Sequence, residues 1–396
     1  MMTMMMMKIF RIPHIMLSIV LLMLIFFTFG CPELVEEEKN PITPVNNGSD
    51  PGPGNLAGKV IGSLSKQPLV GITVAARGKT TTTNYDGTFR LDDVGDGIFS
   101  VVLTSGSTYK RTIAANTNTS GGRWVDVDVF GKSNFDLRFY RELARGNHPA
   151  ENSLFSIRHW ATQPTFYIDT NGYSTQDGVV NQEQIDAARD VLSQVIPVFT
   201  GGRYRANQIQ LRQFPNSLCT PLATTCQFDN IPNNSVVISF DDSLIPYTYG
   251  ITITEPDFTE SSTQTLNKAV IVLADYQPFY SAITFREVVA HEMGHGMGFF
   301  HTTDRVPSVM YKFAILGGIY SSADQAYMPV MYSRSPGNTD IDDDPIPGAK
   351  VAVNVPGVQM HVDNWASPEI SLEVLEEIQA LPGRIPYDEL QEFIID

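Results

Sequence analysis

Residues 291–301 read His-Glu-Met-Gly-His-Gly-Met-Gly-Phe-Phe-His, a run in which residue types and spacing both carry chemistry. His291 and His295 are four apart, so on an α-helix they lie on one face, a turn apart. Two imidazoles so placed can share one tetrahedral Zn²⁺. Glu292 reaches the same metal from the side and is placed to take a proton from a water held there. Gly298 lets the chain leave the helix in a conformation that a side chain would penalise. The turn that follows brings His301 back as a third ligand. Three protein ligands leave a fourth position open, which marks a catalytic zinc rather than a structural one. The chain holds 7 His and 30 Gly in 396 residues, and three of the His fall in this run. With Glu at about one residue in twenty, a chance match is on the order of 10⁻⁸ per start position, so coincidence is set aside.

The flanking sequence supplies the elements that must position these groups. Thr284-Phe285-Arg286-Glu287 reads as a capping box, which predicts a helix starting at Phe285. Val289, Met293 and Met297 form a core-facing stripe at four-residue spacing, leaving His291, Glu292 and His295 on the cleft side. The continuous apolar run 269–274 predicts a buried strand, and the alternation over 247–254 predicts a more exposed edge strand. Farther upstream, 165–168 reads as a strand. Residues 182–198 carry Ile185, Ala188, Val191, Leu192 and Val195 at helical spacing.

The complete pattern H-E-x-x-H-x-x-G-x-x-H is the long zinc signature of the metzincin metalloproteases, and the chain resembles that clan. The resemblance implies an α+β zincin-type catalytic domain over 150–396, with a twisted mixed sheet beside the active-site helix. It implies Zn²⁺ on His291, His295 and His301, with Glu292 as the catalytic base. It also implies a Met-turn beneath the metal. Ser308-Val309-Met310-Tyr311 is similar to the matrixin form, with Pro329-Val330-Met331-Tyr332 as the alternative. Tyr311 would then hydrogen-bond the oxyanion or line the wall. Lys312 stands where matrixins have Pro, a departure that weakens the match to that subfamily. Residues 372–383 resemble the matrixin C-terminal helix, and the long segment between them and Met310 implies an insertion. In a metzincin the edge strand lies along the cleft, so a protein or peptide substrate in extended form would pair with it by backbone hydrogen bonds.

The N-terminal part of the sequence places this chemistry. Lys8 and Arg11 precede a fifteen-residue apolar run, 15–29, broken only by Ser18 and Thr28. A spanning helix needs about 20 residues, so the run reads as a signal peptide over 1–31. Thr28-Phe29-Gly30-Cys31 resembles a bacterial lipobox, which implies a lipid anchor at Cys31 and membrane attachment through it. Residues 32–56, rich in Glu, Pro, Asn and Gly, read as a solvated tether. Over 57–145, short strands at 59–62, 71–74, 87–91 and 99–103 alternate with turn residues, which predicts a separate all-β sandwich domain. Pro68-Leu69-Val70-Gly71, Asp86-Gly87-Thr88-Phe89 and Gly97 make that segment resemble the carboxypeptidase regulatory-like, transthyretin-like domain. Asp86-Gly87 is a hairpin signal in its own right. Residues 124–130 and 135–139 either close the sandwich or bridge to the next domain.

Three cysteines are present, and with Cys31 in the lipobox, Cys219 and Cys226 are left to pair as a disulfide in an exported protein. The run Asp340-Ile341-Asp342-Asp343-Asp344 offers oxygens for Ca²⁺, although a solvated acidic loop is the commoner outcome for such a run. A formal net charge of −16 excludes a general affinity for nucleic acid or anionic membrane. A monomeric, surface-anchored zinc endopeptidase of the bacterial cell envelope is therefore expected. The alternative is a surface adhesion or binding lipoprotein with a vestigial zincin domain, which the intact Glu292 disfavours.

Overall fold

The computed structural model describes residues 50–118, 121–146, 154–171, 180–214, 218–219, 226–241, 250–256, 265–274, 282–303, 306–311, 318–347 and 359–362. The apolar leader, Cys31, most of the tether, Lys312 and the 372–383 segment lie outside the described residues. The architecture is mixed α/β, with three sheets and four helices among these residues.

Seven strands form the first part: β1 (Leu56–Gly62), β2 (Thr73–Ala76), β3 (Lys79–Thr82), β4 (Thr88–Leu91), β5 (Gly97–Thr104), β6 (Arg111–Thr117) and β7 (Arg123–Val129). They pair as two sheets, β4-β1-β7 and β3-β2-β5-β6. Alternate residues face inward, as Phe99, Val101 and Leu103 do on β5, and the inner faces share one apolar core. The Asp86-Gly87 turn is not a hairpin, because β3 and β4 lie in different sheets. Gly87 (φ 80°) serves close packing there: a Cβ would stand 2.6 Å from the Val60 carbonyl oxygen. The tether ends sooner than expected. From Asp50 the chain is held against the sandwich, the Asp50 carboxylate accepting the Gly122 N–H and the Gly54 carbonyl accepting the Val94 N–H.

The second part is a six-stranded sheet of β8 (Thr165–Asp169), β9 (Ile209–Arg212), β10 (Ser235–Phe240), β11 (Gly250–Pro256), β12 (Leu266–Leu273) and β13 (Gln359–Val362), in the order β13-β11-β12-β10-β8-β9. The pairs joining β9, β8, β10 and β12 are parallel; β11 runs antiparallel to β12, and β13 antiparallel to β11. Four helices accompany it: α1 (Leu137–Arg145), α2 (Gln182–Phe199), α3 (Ala282–Gly296) and α4 (Ser322–Tyr332). Val236, Ile238 and Ile271 share the core of the helices, whereas Val237, Val270 and Val272 join a second cluster around Phe214 and Phe228. Burial on both faces explains why β10 and β12 are written as continuous apolar runs.

Two expectations need correcting. The helix that carries His291, Glu292 and His295 begins at Ala282 and not at Phe285, so Thr284 lies inside the first turn instead of capping it. The strand at 247–254 is described from Gly250 and is neither exposed nor at the edge: Ile251 to Thr254 are buried, and β13 covers its outer side. Of the two readings left open for 124–130 and 135–139, both apply in part: β7 completes a sandwich sheet, the apolar cores divide between Val129 and Phe130, and 135–139 lead into α1 in the second core.

Candidate metal centre

The centre is assembled at the C-terminal end of α3. Val289, Met293 and Met297 are buried in the core and fix the rotation of the helix, which turns Glu292 toward β11 and His291 and His295 toward the Val309 and Phe299 carbonyls. The helix then stops abruptly. Gly298 has φ 99°, the Phe299 N–H reaches the Gly294 carbonyl, and the Gly298 N–H reaches that of His295. This is a Schellman closure, which needs a left-handed residue at that point. A side chain is excluded as well, since a Cβ on Gly298 would lie 2.2 Å from the Arg158 carbonyl oxygen. Trp160 Nε1–H donates to the Gly296 carbonyl at 2.8 Å and satisfies another terminal acceptor.

After that reversal His301 returns to the helix. Nε2 of His295 and Nε2 of His301 are 3.1 Å apart, and one nitrogen from each of His291, His295 and His301 falls within a 4.8 Å set. Among the described residues this is the grouping of His, Cys, Asp and Glu side chains that could hold a metal ion. The donor chemistry fits Zn²⁺. Nδ1 of His291 meets the Val309 carbonyl at 2.5 Å and Nδ1 of His295 meets that of Phe299 at 2.8 Å. With Nδ1–H donating to a carbonyl, the neutral ring presents its Nε2 lone pair as a ligand. Two ligands on a tetrahedral zinc at about 2.0–2.1 Å would stand roughly 3.3 Å apart, close to the His295–His301 separation.

Glu292 is fully buried. Thr252 on β11 donates its hydroxyl to Glu292 Oε2 at 2.6 Å and lies 3.0 Å from the Glu292 carbonyl oxygen, so the carboxylate is clamped between helix and strand. Gly250 opens the space for it: a Cβ there would fall 2.6 Å from the Glu292 side chain. Neither residue was singled out from the sequence. Thr252 belongs to the alternation that suggested a solvent-facing edge, and its polar side faces the carboxylate instead.

Met310 packs against Gly294 of the helix that carries the histidines. It is buried, and its Sδ occupies the space that a Cβ on Gly294 would enter, 2.2 Å away. Met331, the alternative, lies within α4 and not in a turn. Asp324 holds the Met310 turn: it accepts from Ser308 Oγ at 2.5 Å, Val309 N–H at 2.8 Å and Ser321 N–H at 2.7 Å. Burial pushes the Asp324 carboxyl up from its ordinary range while these donors pull it down. Ser321 and Asp324 also form the capping box of α4, a signal legible as Ser-x-x-Asp. Tyr311 sits beside the third ligand, bridging in parallel to Thr302, and is buried. On the far side, α1 steadies the same segment: the Thr303 N–H and hydroxyl donate to Glu142, and the Phe300 N–H to the Leu143 carbonyl.

The other predicted site residues lie elsewhere. Cys219 and Cys226 are joined as a disulfide on the opposite face of the sheet. The acidic run does not converge on a cation. Asp340 pairs with Arg141, Asp342 with Arg111 and Arg334, and Asp343 with Lys110. Its carboxylates are engaged by the protein's own cations, and nothing here supports the Ca²⁺ expectation.

No family model matches the chain, and no curated protein does. Among solved structures it is similar to metalloproteinase-II from Bacteroides fragilis, at 9% identity over 69% of this chain and 84% of that one, with a TM-score of 0.25. It is also similar to a type II cohesin–X-dockerin complex from Acetivibrio cellulolyticus (22% identity, 18% of this chain and 51% of that chain, TM-score 0.15). A DUF3823 family protein from Bacteroides uniformis matches at 16% identity over 19% of this chain and 43% of that one, TM-score 0.15. The last two matches thus span about half of those chains or less. Likeness this low carries no argument, and the centre stands on its own geometry.

Proposed function

We propose that the chain is a zinc-dependent endopeptidase with a zincin-type catalytic domain over residues 150–396. The observation that carries this reading is the convergence of His291, His295 and His301 beside a buried carboxylate, Glu292, which a neighbouring strand holds in place. A zinc ion bound there supplies a Lewis acid that acidifies water and polarises a carbonyl. The chain's own residues do the rest. Glu292 takes the proton from the attacking water and hands it to the leaving amine, which a carboxylate can do when its position is fixed. Thr252 holds that carboxylate in orientation. Gly298 and the Met310 turn hold the third ligand and the floor.

The substrate in this reading is a protein or peptide bound in extended form. Export, a lipid at Cys31 and display on a bacterial surface belong to the same proposal, and the Cys219–Cys226 bond supports an oxidising compartment. Digestion of casein by the purified chain, with and without a chelator, is the test. Chelator-sensitive cleavage with about one zinc per chain is the expected result. A chain that binds zinc and cleaves no protein would favour the adhesion alternative.

A further inference from the structure

The strand that touches Glu292 is paired with β12 on one side, and residues 359–362 of this same chain occupy its other edge. β11 is paired along one side with β12, from Gly250↔Leu273 to Pro256↔Leu266. On its other side β13 pairs with it antiparallel, through Ile251↔Val362, Thr252↔His361, Ile253↔Met360 and Thr254↔Gln359. Thr252, whose hydroxyl holds Glu292, is thus a residue that β13 sits opposite. The far edge of the sheet, β9, is separated from β11 by β12, β10 and β8.

We infer that β13 is an internal competitor, seated where an extended peptide would add to the sheet beside Glu292, so that a peptide enters only when β13 leaves. The inference rests on the endopeptidase reading above. Its physical basis is the edge itself: an unpaired strand edge is a template for any extended backbone, and a peptide gains affinity there through main-chain hydrogen bonds. One edge holds one strand at a time. β13 is four residues long, shorter than the usual strand of about five or six, so the pairing it offers is small enough to exchange. Cleavage is then held back in the isolated chain and rises when β13 is drawn off.

Successive N–H groups of a strand point to opposite sides, so of the adjacent Met360 and His361 one directs its N–H at β11. Met360→Pro and His361→Pro, made separately in the full chain, should therefore differ, since proline removes a ladder donor only at the inward position. The probes are a tripeptide hydroxamate and acetohydroxamate, bound to the zinc-loaded proteins. A strand seated about 90% of the time lowers a competitor's apparent affinity about tenfold. One proline variant should thus bind the peptide hydroxamate about tenfold tighter than the wild type. The other should bind it like the wild type, and all three should bind acetohydroxamate equally. Hydrogen exchange on the wild type needs no variant: with the peptide hydroxamate bound, amides 359–362 should lose protection while those of 250–254 keep theirs. Equal peptide-hydroxamate affinity in all three proteins, or continued protection of 359–362 in the complex, would overturn the inference. Peptide binding that improves as expected in a chain that cleaves nothing would uphold it and sink the endopeptidase reading. Failure of acetohydroxamate to bind any of the three would sink both.

Discussion

Glu292 has two neighbours that leave its carboxylate little freedom, the Thr252 hydroxyl at 2.6 Å and the bare Cα of Gly250. Glu292→Gln keeps the size of the side chain and removes the proton acceptor. Turnover should fall about 10²–10⁴-fold, the usual worth of general acid–base catalysis. Zinc content should stay near one per chain by elemental analysis, whereas His295→Ala should lose metal and activity together. Wild-type turnover in a zinc-loaded Glu292→Gln chain would refute the mechanism. Thr252→Val tests the positioning residue. A hydrogen bond to a charged group is worth about 1.5–3 kcal/mol, so kcat should fall roughly ten- to hundredfold. Zinc affinity should be unchanged, because Thr252 touches the base and not the ligands; a loss of zinc would place its role elsewhere.

At the scale of elements, the two candidate methionines separate by position. Both are fully buried, so Met310→Ala and Met331→Ala should each cost about 2–5 kcal/mol in denaturant unfolding. Only Met310 lies in the turn whose Val309 carbonyl orients His291. Disturbing such an outer contact typically costs 10–100-fold in metal affinity, so competition with a chromophoric chelator should show about that loss for Met310→Ala alone. Equal zinc affinities in the two variants would remove Met310 from this role. The segment leading into β8 carries a second test. His159 is buried between the Trp160 and Arg334 carbonyls and stacks on Tyr332. Burial pushes its imidazole down to about 4, outweighing the two carbonyls that raise it. The unfolded chain takes up that proton near 6.5 and the folded chain does not, so stability should fall as pH drops from about 6.5 to about 4. The loss attributable to His159 is on the order of 3 kcal/mol, and His159→Gln should flatten the profile over that window. An unchanged profile in the variant would mean that other groups set the acid response.

At the scale of the molecule, the sandwich and the six-stranded sheet meet through buried charge. Arg334, just after α4, donates to Asp128 of β7 at 2.6 Å and to Asp342 at 2.9 and 3.0 Å, and Arg111 of β6 donates to Asp342 at 3.0 Å. The Thr112 N–H donates to the Asp342 carbonyl and the Asp344 N–H to that of Thr112, so the acidic run also bridges in parallel to β6. The arginines hold the Asp128 carboxyl well below the usual range against the opposing effect of burial. Arg334→Ala leaves two buried carboxylates short of a partner and should cost about 3–5 kcal/mol. Because the network joins both parts, calorimetry of the wild type should show one unfolding transition for the two, with calcium leaving its midpoint unmoved. Two separate transitions in the wild type would mean that the network does not couple them.

The sequence by itself determined which groups form the candidate centre, because their information is local. H-E-x-x-H needs only a helix, and Gly298 needs only the left-handed turn that the ensuing reversal demands. The strands at 269–274 and 165–168 and the helix at 182–198 were legible for the same reason, apolar periodicity within one element. What the tertiary structure decided depends on residues far apart in the chain. Thr252 meets Glu292 across forty positions, which no spacing rule reports. Asp342 meets Arg111 across 231 positions, so a run that reads as a solvated or calcium-binding loop becomes a buried ion-pair junction. The alternating pattern of β11 reads as an exposed edge because alternation records only that two faces differ in polarity. That the polar face meets the buried Glu292 carboxylate, and that β13 covers the edge, follow from which strand pairs with which, and pairing is a property of the assembled sheet.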